Sequence, residues 1–80
     1  MASVLIVDDE PNIRRMVGAL LGAEGYEVHE AADGRAGLEK ASETDPDLVL
    51  LDLMMPNPTD GLVLLEQLRE RIPDLPVVMM

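Results

Sequence analysis

Three aspartates could act together chemically, because each follows a run of aliphatic residues. Asp8 and Asp9 follow Val4–Val7, and Asp52 follows Leu48–Leu51. Unbroken aliphatic runs of this length are typical of strands buried on both faces of a parallel sheet. If the two strands are neighbours, about 4.8 Å apart, the three carboxylates converge at the carboxyl end of the sheet. Open α/β sheets bind their ligands at that end.

Three carboxylates in one place repel one another, so such a cluster holds either a proton or a cation. Mg²⁺ prefers oxygen ligands, is held by one or two carboxylates together with waters, and recruits phosphate groups. A carboxylate beside this ion can act as a nucleophile toward a phosphoryl group, because the metal offsets charge in the transition state. The pattern therefore indicates a metal site suited to phosphoryl chemistry.

A structural role is the alternative for the aspartates taken singly. An Asp just before a helix commonly caps it, by accepting backbone N–H groups at the positive end of the helix dipole. Asp8 and Asp9 both fit that role. Asp52 fits it less well, because two prolines and Gly61 delay the next helix. The three aspartates considered together favour a site.

The rest of the chain supplies the elements that must position these residues. Two further strands are expected, one at Glu27–Ala31, where polar and apolar residues alternate as in an edge strand, and one at Pro76–Met80. Helical periodicity predicts three helices: from Pro11 to a stop at Gly25, from Asp33-Gly34 to Asp45-Pro46, and from Gly61 to Pro73. The order β-α-β-α-β-α-β predicts right-handed crossovers and a parallel sheet with helices on both faces.

The composition limits the class of protein. The 80 residues make one small domain at most; 48% are hydrophobic, and 16 acidic residues against 6 basic ones give a net charge of −10. This apolar fraction is too high for a disordered acidic tail, and the absence of cysteine excludes a disulfide scaffold. The acidic balance argues against nucleic-acid binding by this segment. No apolar run approaches a membrane span, so we expect a soluble, cytoplasmic protein without a membrane interaction.

The motifs around the aspartates closely resemble the receiver domain of two-component response regulators. The matching stretches are VLIVDDEP (Val4–Pro11), LVLLDLMMP (Leu48–Pro56), Asp60-Gly61 and LPVVM (Leu75–Met79). The resemblance covers the whole chain and implies a flavodoxin-like (CheY-like), doubly wound parallel sheet with strand order 2-1-3-4. Residues 1–80 would then be the N-terminal portion of a single receiver domain.

The same resemblance implies a role for each aspartate. Asp52 would be the phosphoacceptor, taking a phosphoryl group from the phosphohistidine of a sensor histidine kinase. Asp8, Asp9 and Asp52 would hold Mg²⁺, Asp9 more directly than Asp8, and the backbone carbonyl of Met54 would be a further ligand. Such a domain is a switch rather than an enzyme.

The resemblance also implies that the first helix docks the kinase on the side nearest the acids. The face in question carries Asn12, Ile13 and Met16. Helical spacing predicts that Val17, Leu20 and Leu21 belong to the core, and that Met16 also packs there. Arg14 and Arg15 are expected to be solvated.

The chain departs from the family pattern in three places. The loop Met55–Gly61 is one residue longer than the common form. The hydroxyl residue that ends the fourth strand of receivers would fall just after Met80, and the lysine that follows their fifth strand is absent, since the sole lysine is Lys40 on the second helix. We therefore expect a truncated domain without these two switch elements.

Two other functions are compatible with the sequence. A truncated, non-phosphorylated domain would be an interaction or assembly module, forming a dimer or a swapped oligomer through its exposed fourth strand. A Mg²⁺-dependent phosphohydrolase would also place an Asp nucleophile at a strand end. Met54 counts against the hydrolase, because many such enzymes have a second Asp at this position.

Overall fold

Four parallel strands and three helices alternate along the chain. The computed structural model describes residues 2–52 and 58–80, with the side chains of 58–60 left out of the description. The elements are β1 (Ser3–Val7), α1 (Pro11–Ala23), β2 (Glu27–Ala31), α2 (Gly34–Thr44), β3 (Leu48–Leu51), α3 (Pro58–Arg71) and β4 (Val77–Met79). This order is the one predicted from the sequence.

The strands form one sheet in the order β2-β1-β3-β4, and every neighbouring pair is parallel. The doubly wound, CheY-like topology and its strand order are therefore confirmed. Val7, the last residue of β1, lies opposite Ala31 of β2 and Leu51 of β3. Because these three strands end level with one another, the residues that follow β1 and β3 start from the same edge of the sheet.

The core lies between one face of the sheet and the helices α2 and α3. Alternate residues of a strand point to the same face, and the main buried cluster follows that alternation. Its members are Leu5, Val7, Ala31, Ala41, Val49, Leu51, Leu64 and Leu68. All five residues of β1 are buried, as its unbroken aliphatic run predicts for a central parallel strand.

Helix α1 covers the opposite face through Gly18, which is its one fully buried residue. A Cβ atom at Gly18 would lie 3.4 Å from Val28 and 3.7 Å from Ile6, which is ordinary contact distance, so this side of the helix packs against the sheet. The residues of α1 that are buried or half-buried follow a helical spacing: Arg14, Val17, Gly18 and Leu21. That spacing fixes the rotation of α1 about its axis.

Two predictions about residues in α1 were wrong. The side chains of Leu20 and Met16 are 63% and 57% exposed, although both were expected to pack in the core. They fall on the far side of the helix from the line of contact that runs through Gly18. Val17 and Leu21 lie on that line and are half-buried.

The start of the third helix also differs from its prediction. Helix α3 begins at Pro58 and not at Gly61. Proline is well suited to the first turn of a helix, where its missing N–H has no partner to lose, so Pro58 begins the helix instead of delaying it. Within residues 2–52 and 58–80, no helix is long and apolar enough to cross a membrane.

Candidate metal centre at the carboxyl edge of the sheet

The structure brings Asp8, Asp9 and Asp52 together at the end of β1 and β3. One carboxylate oxygen from each residue can be chosen so that all three lie within 4.8 Å of one another. The N–H of Asp52 donates to the carbonyl of Val7 at 2.9 Å, and the N–H of Asp8 donates to the carbonyl of Ala31 at 3.1 Å. The hydrogen-bond ladder of the sheet thus continues one residue past the strands and holds two of the aspartates.

Asp8 is the most enclosed of the three. Its residue is 3% exposed, and its carboxylate accepts the N–H of Glu10 at 2.9 Å. Asp9 and Asp52 are half-buried. The cluster therefore has a buried floor at Asp8 and two carboxylates that a ligand could reach.

Neither Asp8 nor Asp9 is the N-cap of α1, so the capping interpretation was wrong for this helix. The cap is Glu10, which has an extended backbone and accepts the N–H of Asn12 at 3.0 Å through its side chain. Asp33, at the start of α2, does cap its helix and accepts the N–H of Ala36 at 2.8 Å. The N–H of Asn12 in the first turn of α1 is thus bound without the clustered aspartates.

Burial raises the pKa of the Asp8 carboxyl above its ordinary value, because the charged form loses hydration. The N–H of Glu10 works in the opposite direction, and the negative charges of Asp52 and Asp9 add to the increase. The site is therefore a place where negative charge is crowded. A hard divalent cation fits this donor set, since its charge offsets the repulsion and its preferred ligands are carboxylate oxygens.

The remaining predicted ligand, Met54, lies outside the described residues, as does most of the loop expected to be one residue longer than usual. Of the predicted kinase-facing residues, Ile13 is 46% exposed and Met16 57% exposed, and Asn12 is also exposed. They lie on the first turns of α1, next to the aspartates in the sequence.

Arg14 is a residue near the site whose position was predicted wrongly. Its side chain is only 16% exposed instead of solvated. Its Nη1 donates to the backbone carbonyl of Asp8 at 2.8 Å, and its Nε lies 3.1 Å from a carboxylate oxygen of Glu30 on β2. Arg14 lies one helical turn before Gly18, on the side of α1 that faces the sheet. This spacing could have indicated that its side chain is partly buried.

Comparison with known proteins agrees with this geometry. Residues 4–80 match the family model of the response regulator receiver domain. This chain belongs to that family. As a receiver domain it is a component of two-component signalling.

Curated relatives of this receiver domain are regulatory proteins. The DNA-binding dual master transcriptional regulator RpaA of Synechocystis is 43% identical over 82 residues, a match that covers 100% of this chain and 34% of the relative. The transcriptional regulatory protein ResD of Bacillus subtilis is 46% identical over 68 residues, covering 85% of this chain and 28% of the relative. The receiver domain thus spans about a third or less of these relatives.

Solved structures share the fold in detail. The chemotaxis protein CheY4 of Vibrio cholerae superimposes with a TM-score of 0.90 at 40% identity, covering 99% of this chain and 67% of that one. A second match is the crystal structure of the histidine kinase ThkA in complex with the response regulator TrrA. It has a TM-score of 0.88 at 38% identity and covers 99% of this chain and 67% of that one. The solved structures thus support the same fold that the match to the receiver-domain family implies.

Proposed function

We propose that this receiver domain accepts a phosphoryl group on Asp52 from a histidine kinase, with Mg²⁺ held by Asp8, Asp9 and Asp52. The observation that supports this most strongly is the set of three carboxylates within 4.8 Å of one another at the carboxyl edge of the sheet. The backbone carbonyl of Met54 completes the proposed ligand set. We also propose that residues 1–80 belong to one receiver domain, since all four strands join a single sheet.

The three aspartates differ in ways that suit different roles. Asp52 follows the central strand β3 and is half-buried, so an approaching phosphoryl donor can reach its carboxylate. Asp8 is buried and its carboxylate already accepts the Glu10 N–H, which suits a residue that holds an ion and does not react. Asp9 is half-buried and precedes the cap residue Glu10, where its carboxylate can coordinate a metal directly.

The proposed step is a transfer from nitrogen to oxygen. A carboxylate oxygen of Asp52 forms a bond to phosphorus as the bond from phosphorus to the histidine nitrogen breaks, and the electron pair of that bond returns to the imidazole. When bound, Mg²⁺ would supply positive charge that offsets the negative charge on the oxygens of the transferring group. Asp8 and Asp9 hold that charge in place, while the hydrogen bond from the Asp52 N–H to Val7 fixes the backbone of the nucleophile.

Labelling with a small phosphodonor such as acetyl phosphate tests the proposal without any kinase. We expect one phosphoryl group per chain, detected by intact mass, in the presence of Mg²⁺ and none in the presence of a chelator. Asp52→Asn should abolish labelling. Asp33→Asn is the matched control, because Asp33 is also an aspartate at the start of a helix, but it is exposed and its cap function is retained by Asn.

Two results would contradict the proposal. Labelling that persists in Asp52→Asn would place the acceptor elsewhere, and labelling that is indifferent to Mg²⁺ would remove the metal from the step. Repeated turnover of added phosphoesters would instead indicate the hydrolase.

The proposed partner is a histidine kinase that docks on the exposed first turns of α1. The TrrA structure gives this support by similarity, because that regulator was crystallised with a histidine kinase. Asn12, Ile13 and Met16 are exposed beside the aspartates and form the proposed contact. We also propose a cytoplasmic location for the domain.

Self-association through β4 is a second candidate function. In the described part of the chain, β4 is hydrogen-bonded only to β3 and lies at the edge of the sheet. Val78 in β4 is 48% exposed and Met80, just after the strand, is 42% exposed, and an exposed apolar edge strand is a template for pairing with a second copy. A mass in solution that rises with concentration above 8.7 kDa, without any phosphoryl labelling, would favour this function over the first.

A further inference from the structure

We propose that Arg14 is a positioning residue for the metal site, because it fixes the turn between β1 and α1 that carries Asp8 and Asp9. The inference rests on the proposed function, since it concerns the affinity of the same site for Mg²⁺. Arg14 itself touches neither the metal nor the phosphoryl group in this account.

The contacts of Arg14 join three parts of the fold. The residue lies on α1, its Nη1 donates to the carbonyl of Asp8 at 2.8 Å, and its Nε meets a carboxylate oxygen of Glu30 on β2 at 3.1 Å. Its side chain is 16% exposed, and the bond to the Asp8 carbonyl is partly buried, whereas the Glu30 side chain is 40% exposed. A guanidinium suits this arrangement because it presents several donors in one rigid plane.

Asp8 is held by several hydrogen bonds, and Arg14 supplies the one to its carbonyl. Its N–H is bound by the carbonyl of Ala31, and its carboxylate by the N–H of Glu10. Neither bond is made by the Asp8 carbonyl, which lies in the planar peptide group shared with Asp9. By binding that carbonyl, Arg14 helps to fix the orientation of the peptide group that joins Asp8 to Asp9.

Arg14 could affect Mg²⁺ binding through its positive charge or through its hydrogen bond to Asp8, and these two effects have opposite signs. A cation beside the cluster repels Mg²⁺, so removing the charge alone would tighten Mg²⁺ binding. Removing a positioning contact has the opposite effect, because the carboxylates lose their fixed geometry. The sign of the change in affinity therefore distinguishes the two roles.

The first experiment measures Mg²⁺ affinity by isothermal titration calorimetry on the whole chain. We expect Arg14→Ala to weaken binding about 10-fold, the size of effect that residues supporting metal ligands commonly have. Arg14→Lys should lose affinity less, since an ammonium keeps the charge and can donate to the Asp8 carbonyl but cannot reproduce the planar fork. Arg15→Ala is the matched control, because Arg15 is the adjacent arginine and is exposed; its affinity should change by about twofold at most.

A second readout needs no metal. Amide hydrogen exchange of Glu10, whose N–H is bound by Asp8, should be faster in metal-free Arg14→Ala than in the wild type, and unchanged in Arg15→Ala. If Arg14→Ala does not fold, Arg14→Lys takes its place in both measurements. Unchanged or tighter Mg²⁺ binding together with unchanged exchange would overturn the role of Arg14 and leave the proposed function intact. A wild-type chain that binds no Mg²⁺ would overturn the proposed function, and the exchange measurement would then decide on Arg14 alone.

Discussion

The backbone N–H of Asp52 donates to the carbonyl of Val7 at 2.9 Å, which ties the residue after β3 to the last residue of β1. The position of the proposed phosphoacceptor is therefore set by the hydrogen-bond ladder of the sheet. Because neighbouring strands lie about 4.8 Å apart, carboxylates that follow two of them are brought within reach of one ion. The crowding of charge at this edge is a consequence of strand spacing.

The ionised form of Asp8 should destabilise the metal-free fold at neutral pH. Burial and the neighbouring carboxylates raise the pKa of Asp8 in the folded chain, so its favourable contribution is fully present below the ordinary value of 3.8 and is lost as the pH rises through the raised value. We expect Asp8→Asn, measured by urea unfolding with a chelator present, to be more stable than the wild type at neutral pH by roughly 1 kcal/mol or more. This gain should shrink as the solution is acidified.

The exposed residue Asp33 provides the control for this experiment, since Asp33→Asn keeps its helix cap and lies outside the cluster. Adding Mg²⁺ should stabilise the wild type more than Asp8→Asn, because a bound ligand stabilises only the state that binds it. If Asp8→Asn is no more stable than the wild type at neutral pH, the ionised Asp8 carboxylate does not destabilise the metal-free fold and the prediction is wrong.

Two glycines in helices should respond to alanine with opposite signs. A Cβ atom at Gly37 of α2 would lie 3.0 Å from a methyl of Val7 and 3.2 Å from one of Leu64, both in the core. We expect Gly37→Ala to destabilise the fold by about 1 kcal/mol or more, because overpacking exceeds the gain in helix propensity. At Gly22 of α1 nothing lies within 4 Å, so Gly22→Ala should stabilise by about 0.5 kcal/mol. Thermal unfolding followed by circular dichroism measures both, and equal signs would refute the expectation.

Alanine substitutions at Leu68 and Leu62 measure how much the core between the sheet and α3 contributes to the stability of the domain. Both are leucines of α3, but Leu68 is 1% exposed and Leu62 52% exposed. Leu68→Ala should lose about 2–5 kcal/mol of unfolding free energy by leaving a cavity, and Leu62→Ala should stay within about 0.5 kcal/mol of the wild type. Denaturant titration gives both values, and similar losses at the two positions would argue against this division of the helix.

Met16→Glu should impair phosphotransfer from a histidine kinase without affecting labelling by a small phosphodonor. Met16 is 57% exposed on the proposed docking face, so an added charge there disturbs the complex and not the fold. We expect the rate of transfer from phosphorylated kinase to fall about 10-fold, which corresponds to about 1.4 kcal/mol. Leu62→Glu places the same charge on α3, on the other side of the sheet, and should transfer at the wild-type rate. Equal rates for the two variants would exclude Met16 from the interface.

The strands and the cluster could be predicted from the sequence because their signals are local. A central parallel strand such as β1 is buried on both faces, so its sequence is continuously aliphatic and its end is visible at Asp8. The expected level ending of β1 and β3 then brings the aspartates together without any knowledge of loops. The edge strand β2 was visible in the same way from its alternating residues.

The rotation of α1 could not be predicted from hydrophobic spacing, because two apolar lines run along this helix. One line, which includes Val17 and Leu21, faces the sheet, and the other, which includes Met16 and Leu20, faces outward. The line that faces the sheet is the one that contains Gly18, the buried residue of α1, which packs beside Val28. The same rotation of α1 about its axis turns Arg14 inward, and a charged residue expected in solvent therefore lies beside the site.

The cap of α1 has a consequence for how this protein can change over time. The Glu10 side chain accepts an N–H from the first turn of the helix, while Asp8 and Asp9 provide negative charge to the cluster. Adjacent residues thus perform separate tasks. The direct link between them is the backbone N–H of Glu10, which any residue except proline would supply. Mutations of the Glu10 side chain can therefore alter the helix start and still leave the hydrogen bond to Asp8 in place. The choice of cap side chain and the turn that holds Asp8 can thus vary separately.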